Sequence, residues 1–388
     1  MEAVRWLAEE GITVGVAPGR FAPDAFVTRG QFAAFLHRFA GRPAASAHPF
    51  DDVVSAYQQE PVAWLAAAGI TTGTGPRAFS PDDYVTRAQL AVFLHRYVGR
   101  PAADMPFSPP CERPIVVHAV GDVNFDPGYG PNPQYPFSHA WSGLDGLFLR
   151  DDLSIINLEC APSELGSAVP KTYNFRCPLP SLAATAAAGV DVANLANNHG
   201  GDYGIAALLD GVANVRSAGI ASVGAGVDLA AATAPARFEV NGVRIAVLGF
   251  NAVGSSWRAG PGVAGMADGN IETMTAAVRA ADEDADVVLV AIHWGVERMT
   301  VPAADDIPRA RALIDAGADA VFGHHPHVLQ PLEYYRDRPI FWSLGNFVWH
   351  AGTKTTAVAR VTIEPDGRVT GSMLPARIVH KGHPVLLG

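Results

Sequence analysis

The stretch Gly323-His324-His325-Pro326-His327 holds three histidines within four positions, directly after the apolar run Ala320-Val321-Phe322. Neutral imidazole is the commonest protein ligand for divalent metals. A His-x-His pair in a tight turn can aim two ring nitrogens at one small volume, and the proline between them limits the turn's freedom. Alone, such a cluster could be a solvated loop. Four other apolar runs end in residues of the same kind. Ile115–Val120 leads into Gly121-Asp122-Val123-Asn124, and Leu153–Ile156 into Asn157-Leu158-Glu159. Val190–Leu195 leads into Ala196-Asn197-Asn198-His199, and Val287–Ile292 into His293-Trp294-Gly295. One such ending is commonly a capped loop, but five in order point to a shared site. Asp and Glu supply the negative charge that imidazoles lack, and Asn supplies a neutral oxygen to complete a coordination shell.

These endings need a scaffold that brings them to one place. Strands are predicted at Ile115–Val120, Leu153–Asn157, Val190–Leu195, Ala221–Val223, Arg244–Phe250, Val287–Ile292, Ala320–Phe322, Pro339–Ser343 and Ala357–Ile363. Helical stretches fall between several of them, at Ser181–Ala188, Ile205–Ala218, Ile271–Asp284 and Ile307–Ala316. Alternation of strand and helix predicts an α/β layered domain, whose chemistry collects at the carboxyl ends of the strands.

With those residues in view, the segment from 115 to about 384 resembles the CapA family, the poly-gamma-glutamate capsule biosynthesis proteins, a branch of the calcineurin-like metallophosphoesterases. The resemblance runs through Gly121-Asp122, Asn157-Leu158-Glu159, Ala196-Asn197-Asn198-His199 with Asp202-Tyr203-Gly204, and His293-Trp294-Gly295-Val296-Glu297. It continues through Gly323 to Gln330 and Ser343-Leu344-Gly345-Asn346-Phe347. It implies a four-layer α-β-β-α sandwich, two packed sheets flanked by helices, with one or two divalent metal ions (Mn, Fe or Zn) at one edge. By position, Asp122 resembles the first metal-touching aspartate, Glu159 the bridging carboxylate, and Asn198 the asparagine ligand. His293, His325 and His327 resemble the remaining ligands, and His324 falls in the slot before the usual pair. His199 resembles the histidine that protonates the leaving oxygen, with Asp202 to hold its tautomer. Two metals roughly 3.5–4 Å apart clamp a phosphoryl oxygen and activate water in such sites. The chain departs from the family pattern at Asn124, where an amide replaces a histidine, and at Asn157-Leu158-Glu159, which replaces Gly-Asp-x-x-Asp; Asn124 and His324 are expected behind the ligands or facing substrate. Fewer anionic ligands leave room for a single metal, or for a polymer-handling role without hydrolysis. Other residues keep two readings. Asn346 reaches the pocket or shapes a turn; Arg176 meets an anionic substrate group or forms a surface ion pair. Glu297 lines a groove, while Trp294 is expected to fill core.

The first hundred residues are a repeat. Val4-Arg5-Trp6-Leu7-Ala8 recurs as Val62-Ala63-Trp64-Leu65-Ala66, Gly11-Ile12-Thr13 as Gly69-Ile70-Thr71, and Val27-Thr28-Arg29-Gly30-Gln31 as Val85-Thr86-Arg87-Ala88-Gln89. Each unit is predicted to be helix, loop, helix, with Thr28 and Thr86 as N-caps, and the two units should stack. The pattern resembles the S-layer homology repeat, which implies anchoring to a cell-wall polymer. Arg29 and Arg87 fall where that family places its polymer-facing arginine; pairing with local carboxylates is the other reading. The first unit lacks the Phe50-Asp51-Asp52-Val53 opening of the second, and residues 1–20 show no export signal, so the natural chain is expected to begin further upstream.

The expected organisation is therefore residues 1–100 as two repeats, 101–114 as a proline-rich linker, and 115–388 as the metallophosphoesterase-like domain. A hydrophobic share of 49% and a charged share of 17% describe a globular chain with a large core. A net charge of -10 without a basic patch argues against a nucleic-acid partner. No apolar run is long enough for a membrane span. Cys160 and Cys177 either close a loop as a disulfide or are unrelated buried thiols, and Cys111 is left over. The expected function is a metal-dependent hydrolase outside the cell, associated with the wall and acting on a cell-wall or capsular polymer, with other capsule synthesis proteins as further candidate partners. The alternative is a non-hydrolytic component of capsule polymer synthesis or export with a structural metal site.

Overall fold

A computed structural model describes residues 2–13, 15, 20–22, 27–45, 47–75, 77–85, 87–97, 113–254, 256–350, 352, 354–379 and 382–387. The chain divides into two compact units, Met1–Pro109 and Pro110–Gly388. Cys111 and most of the proline-rich stretch lie outside the described residues, as does Thr86.

Among its described residues the first unit carries four helices: α1 (Glu2–Glu9), α2 (Arg29–Phe39), α3 (Ala56–Ala67) and α4 (Arg87–Tyr97). Thr28 caps α2 through a reciprocal box with Gln31, which satisfies donors that the first turn leaves open. The repeat is visible in its bonds. Arg38 Nη1 donates to the Ile12 carbonyl, and Arg96 Nη1 donates to the Ile70 carbonyl, each at 3.1 Å. Asp52 of the opening motif accepts from the Phe79 and Ser80 backbone amides. The core is Ala33, Leu36, Phe50, Val53, Val62, Leu65, Ile70, Phe79 and Phe93. Arg29 belongs to that interior. It is 3% exposed, its Nε donates to the Phe79 carbonyl at 2.7 Å, and its guanidinium sits over the Phe79 and Phe93 rings. Arg29 thus presents almost no guanidinium surface to a polymer. The side chain of Arg87 lies outside the described residues.

Among the described residues of the second unit, one sheet has eight strands. β1 (Ile115–Val123), β2 (Leu153–Leu158), β3 (Val192–Asn194) and β4 (Ala221–Val223) run parallel. On the other side of β1, β14 (Thr355–Ile363), β15 (Val369–Val379) and β16 (His383–Leu386) continue antiparallel, and β13 (Asn346–Val348) pairs with the end of β1. The second sheet has the order β11-β12-β10-β9-β7-β6. These strands are β6 (Ala236–Val240), β7 (Val243–Asn251), β9 (Val287–His293), β10 (Ala320–His324), β11 (Leu332–Tyr335) and β12 (Arg338–Phe341). A small ribbon pairs β5 (Ala225–Gly226) with β8 (Gly265–Met266).

Three apolar layers hold this together. Val117, Ala119, Ile155, Val192, Val247, Leu289, Phe322 and Val361 fill the space between the sheets. The outer face of the first sheet packs on α5 (His139–Ser142), α6 (Pro180–Ala187) and α7 (Ile205–Ser217), through Trp141, Leu182, Leu208 and Val215. The outer face of the second packs on α9 (Ile271–Asp282) and α10 (Asp306–Asp315), through Met274, Val278, Leu313 and Ile314. A short helix, α8 (Leu229–Ala232), lies beside the ribbon. The result is the expected helix–sheet–sheet–helix order. Central strands are buried on both faces, which is why they read as continuous apolar runs.

The structure differs from the sequence reading at the margins. The strand expected over Val190–Leu195 pairs only through Val192–Asn194. β5, β6, β8, β11, β13, β15 and β16 have no counterpart among the predicted strands: β5, β8 and β13 are two or three residues long, and the others show alternating or partial burial, with Pro375 and Gly371 interrupting the apolar pattern of β15. Cys160 and Cys177 form a disulfide, which settles the two readings of that pair.

Candidate metal centre

The carboxyl ends of β1, β2 and β3 in one sheet and of β9 and β10 in the other meet at one edge. β1 reaches Asp122 only because Gly121 has no side chain: a Cβ there would lie 1.9 Å from the Gly345 carbonyl oxygen. The Asp122 amide donates to that same oxygen at 2.8 Å. Beyond β10, His325 and His327 adopt left-handed backbone, with φ of 95° and 58°. Non-glycine residues held there cost on the order of 1–3 kcal/mol each and cluster at working sites.

Asp122 is fully buried. Its Oδ1 accepts from Asn157 Nδ2 at 2.8 Å, and its Oδ2 lies 3.0 Å from His327 Nδ1. His324 Nδ1 is 3.7 Å from Asp122 Oδ1. His293 Nε2 lies 2.8 Å from Asn198 Oδ1 and 3.6 Å from Glu159 Oε1, and its Nδ1 lies 3.2 Å from Asn157 Nδ2. His199 Nε2 and His327 Nε2 are each 3.9 Å from Glu159 Oε1. His199 Nδ1 pairs with Asp202 Oδ2 at 2.6 Å. Three sets of donor atoms each fall within 4.8 Å of one another: Glu159, His293 and His325; Asp122, Glu159 and His327; Glu297, His325 and His327.

Glu159 is 0% exposed, and among the described residues neither of its oxygens has a donor in hydrogen-bonding reach. Asp122 is its near neighbour, but two carboxylates share a bond only if one is protonated or a cation lies between them. A buried, unpaired charge costs several kcal/mol. The electrostatics follow. Burial, then the charge of Asp122, raises the Glu159 carboxyl well above its usual range. Burial also pulls His293 well below its usual value, helped by the surrounding imidazoles, and lowers His324 and His325 to about 4. Burial pushes Asp122 up and His327 down, but their mutual hydrogen bond and charge attraction win: Asp122 moves down and His327 up. His199 is lowered, with burial outweighing Asp202. Most of the imidazoles are therefore neutral lone-pair donors facing two carboxylates. That mixed nitrogen and oxygen donor set, with an orphaned carboxylate at its centre, fits one or two divalent cations.

Above the cluster lies a groove of about 690 Å³, lined by Tyr129, Tyr173, Phe175, Glu297, Arg298 and Trp349 among others. Asn346 closes its floor, with Oδ1 2.8 Å from His327 Nδ1. Two expected residues lie elsewhere. Arg176 does not face the groove's floor: its guanidinium donates to the carbonyls of Glu164, Leu165 and Gly166 and stacks 3.7 Å from the Tyr203 ring centre. Asn124 turns its Oδ1 back onto the Asp126 amide, an Asx turn rather than a contact to the cluster. Trp294 is core, donating Nε1 to the Trp342 carbonyl.

Sequence reading missed Arg298, which lines the groove, and Lys171, whose Nζ reaches Asp202 Oδ1 at 2.6 Å. It also missed the role of Asn157, whose Oδ1 accepts from Asn194 and Asn197 while its Nδ2 holds Asp122. The run Asn194, Asn197, Asn198 beside Asn157 was a signal of such an amide network.

Residues 116–351 match the family model described as bacterial capsule synthesis protein PGA_cap. The chain belongs to the PGA_cap family. Residues 1–33 and 49–91 match the S-layer homology domain. This PGA_cap member is 37% identical over 198 residues to the PGA biosynthesis protein CapA of Bacillus subtilis, covering 50% of this chain and 52% of the relative. It is 36% identical over 222 residues to the capsule biosynthesis protein CapA of Bacillus anthracis, covering 55% of this chain and 54% of the relative. It is 35% identical over 228 residues to a probable polyglutamine synthesis accessory protein of Mycobacterium tuberculosis, covering 55% and 60%. The chain spans about half the length of the first two curated relatives. A crystal structure of a hypothetical protein from Thermus thermophilus aligns over 67% of this chain and 99% of its own, with a TM-score of 0.44 and 18% identity. The family and the S-layer repeats together assign this PGA_cap protein a role at the cell envelope. Among the described residues no helix is long and apolar enough to cross a membrane.

Proposed function

We propose that the second unit is a divalent-metal-dependent hydrolase acting on a phosphoester or related bond of a wall or capsular polymer, and that the repeats retain it at the cell wall. The observation that carries this reading is Glu159, a carboxylate with no exposed surface and no donor, set among imidazoles that burial keeps neutral. Asp122, Glu159, Asn198, His293, His325 and His327 would hold the metal, with His324 and Asn346 behind them. Bound there, a divalent cation supplies Lewis acidity toward a phosphoryl oxygen and lowers the pKa of water. The remaining work falls to the chain. His199 presents Nε2 toward the cluster because Asp202 holds Nδ1. Acting in its protonated form, His199 passes its Nε2 proton to the leaving oxygen as the P–O bond breaks, the ring keeps the Nδ1 proton it donates to Asp202, and solvent then reprotonates Nε2. Water adds its hydroxyl to phosphorus and releases its other proton to solvent. Arg298, Glu297 and the aromatic residues line the groove that would take the rest of the substrate.

The test is elemental analysis of protein purified without added metal, then a phosphodiester panel with and without chelator. Metal near one or two equivalents and chelator-sensitive turnover support the reading. Stoichiometric metal with no turnover on any ester favours the second reading, a non-hydrolytic part of capsule polymer synthesis or export. That reading draws on the replacement of two family ligand positions by Asn124 and Glu159 and on the biosynthetic names of the relatives.

A further inference from the structure

The segment between the two half-cystines converges on one residue. Lys171 Nζ lies 2.6 Å from Asp202 Oδ1, 2.7 Å from the Asn198 carbonyl oxygen and 3.1 Å from His199 Nδ1. The Phe175 amide donates to Asp202 Oδ2 at 2.8 Å, and its ring stacks on His199 with centroids 4.1 Å apart. The Val169 amide donates to the Asp202 carbonyl. The ends of the segment are fixed by the Cys160–Cys177 disulfide, by the Ala161 and Phe175 backbone pair, and by Arg176 gripping three carbonyls of the same segment.

The imidazolium that gives up a proton from Nε2 carries one on Nδ1 as well, so Nδ1 can only donate, and its acceptor is Asp202 rather than the Lys171 ammonium. The 2.6 Å contact to Asp202 is the shorter, and both Lys171 and Nδ1–H then point at the same carboxylate. One ammonium thereby ties Asp202, which orients the ring, to the peptide carbonyl of Asn198, which carries a candidate metal ligand. Bonds between charged partners are about twice as strong as neutral ones.

We propose that Lys171, delivered by the disulfide-closed segment Cys160–Cys177, is a positioning residue that fixes Asp202 and the Asn198–His199 backbone so that His199 Nε2 faces the leaving oxygen. This rests on the hydrolase reading for His199. It makes the disulfide part of the machinery, since it closes the segment that carries Lys171 and Phe175.

The experiment uses the full chain loaded with Mn to equal content, as wild type, Lys171→Met, Lys171→Arg, and the double variant Cys160→Ser with Cys177→Ser. Each is assayed on a nitrophenyl and a methyl ester of the same phosphoryl group. Nitrophenolate leaves without a proton, whereas methoxide needs one. Lys171→Met and the double serine variant should lose about 100-fold in kcat on the methyl ester and under about 5-fold on the nitrophenyl ester. Lys171→Arg should recover most of the loss. Equal losses on both esters, or none, overturn the proposal. If the wild type cleaves neither ester, the hydrolase reading fails by itself, and nitrogen-15 NMR of the same proteins loaded with diamagnetic Zn in place of Mn still decides the positioning. The downfield His199 Nδ1 proton, assigned by its absence in His199→Ala, should be present in the wild type and lost or broadened in Lys171→Met. An unchanged resonance overturns the proposal.

Discussion

Replacing Glu159 by Gln should have opposite effects on the metal-free and metal-loaded protein. The side chains are nearly isosteric, so packing changes little. In the metal-free protein the carboxylate is buried without a donor, and an unsatisfied group of that kind costs about 1–3 kcal/mol, more when charged. The neutral amide removes the charge and offers N–H groups to the imidazoles around it. Metal-free Glu159→Gln should therefore be more stable, where the carboxyl is ionised, by about 1–3 kcal/mol, which for a domain of this size is a rise of about 2–5 °C in Tm. With metal the sign reverses. Loss of an anionic ligand should weaken binding at least about 100-fold, which removes about 2.7 kcal/mol of ligand-linked stability. The pH dependence has a fixed direction. Glu159 is raised in the fold, so its contribution is favourable at low pH and lost as pH rises through the shifted value. The advantage of Glu159→Gln should grow from acid to alkaline pH. The assay is thermal denaturation of both proteins, with chelator and with excess Mn, across pH. A metal-free variant less stable than wild type, or a wild-type Tm that no divalent cation raises, would refute the reasoning.

Further predictions concern other residues. His199→Ala should leave the circular dichroism spectrum and metal content intact while lowering turnover by about 100-fold or more, measured on an ester with a poor leaving group. Gly121→Ala should destabilise the second unit by about 1–3 kcal/mol in denaturant titrations, because the new Cβ meets the Gly345 carbonyl oxygen at 1.9 Å. Asp191 is raised to about 6, first by burial and then by the Asp151 charge, against the hydrogen bond from the Ser154 amide. Its contribution is present below the ordinary carboxylate value and lost as pH rises through about 6, so Asp191→Asn should raise Tm at alkaline pH and change little in acid. A larger gain in acid would contradict this.

Much of this molecule is legible in the sequence because its central strands are buried on both faces and end abruptly in polar residues. Ala320–Phe322 and Val287–Ile292 could hardly be anything but inner strands. The residues that follow them lie where the structure gathers Asp122, Glu159, Asn198, His293, His325 and His327. Of the strands at the sheet edges, Ala221–Val223 was legible, but a half-exposed strand such as Leu332–Tyr335 carries no apolar run. Lys171 was hidden for another reason: it lies on an irregular loop, and its partners are 27 to 31 residues away. Asn124 and Arg176 misled because each spends polar atoms on nearby backbone, Asn124 Oδ1 on the Asp126 amide and the Arg176 Nη atoms on loop carbonyls. Arg29 misled because a guanidinium flanked by aromatic rings can be interior.

The donor atoms come from both layers of the sandwich: Asp122, Glu159 and Asn198 from one sheet, His293, His325 and His327 from the other. Between these sheets the contacts are apolar and non-directional until that edge is reached. An ion seated there would act as a rivet through two plates, resisting slip that greasy contact alone resists weakly. Stripping it should let amide protons near the rim exchange faster while those at the opposite end of the plates keep their pace.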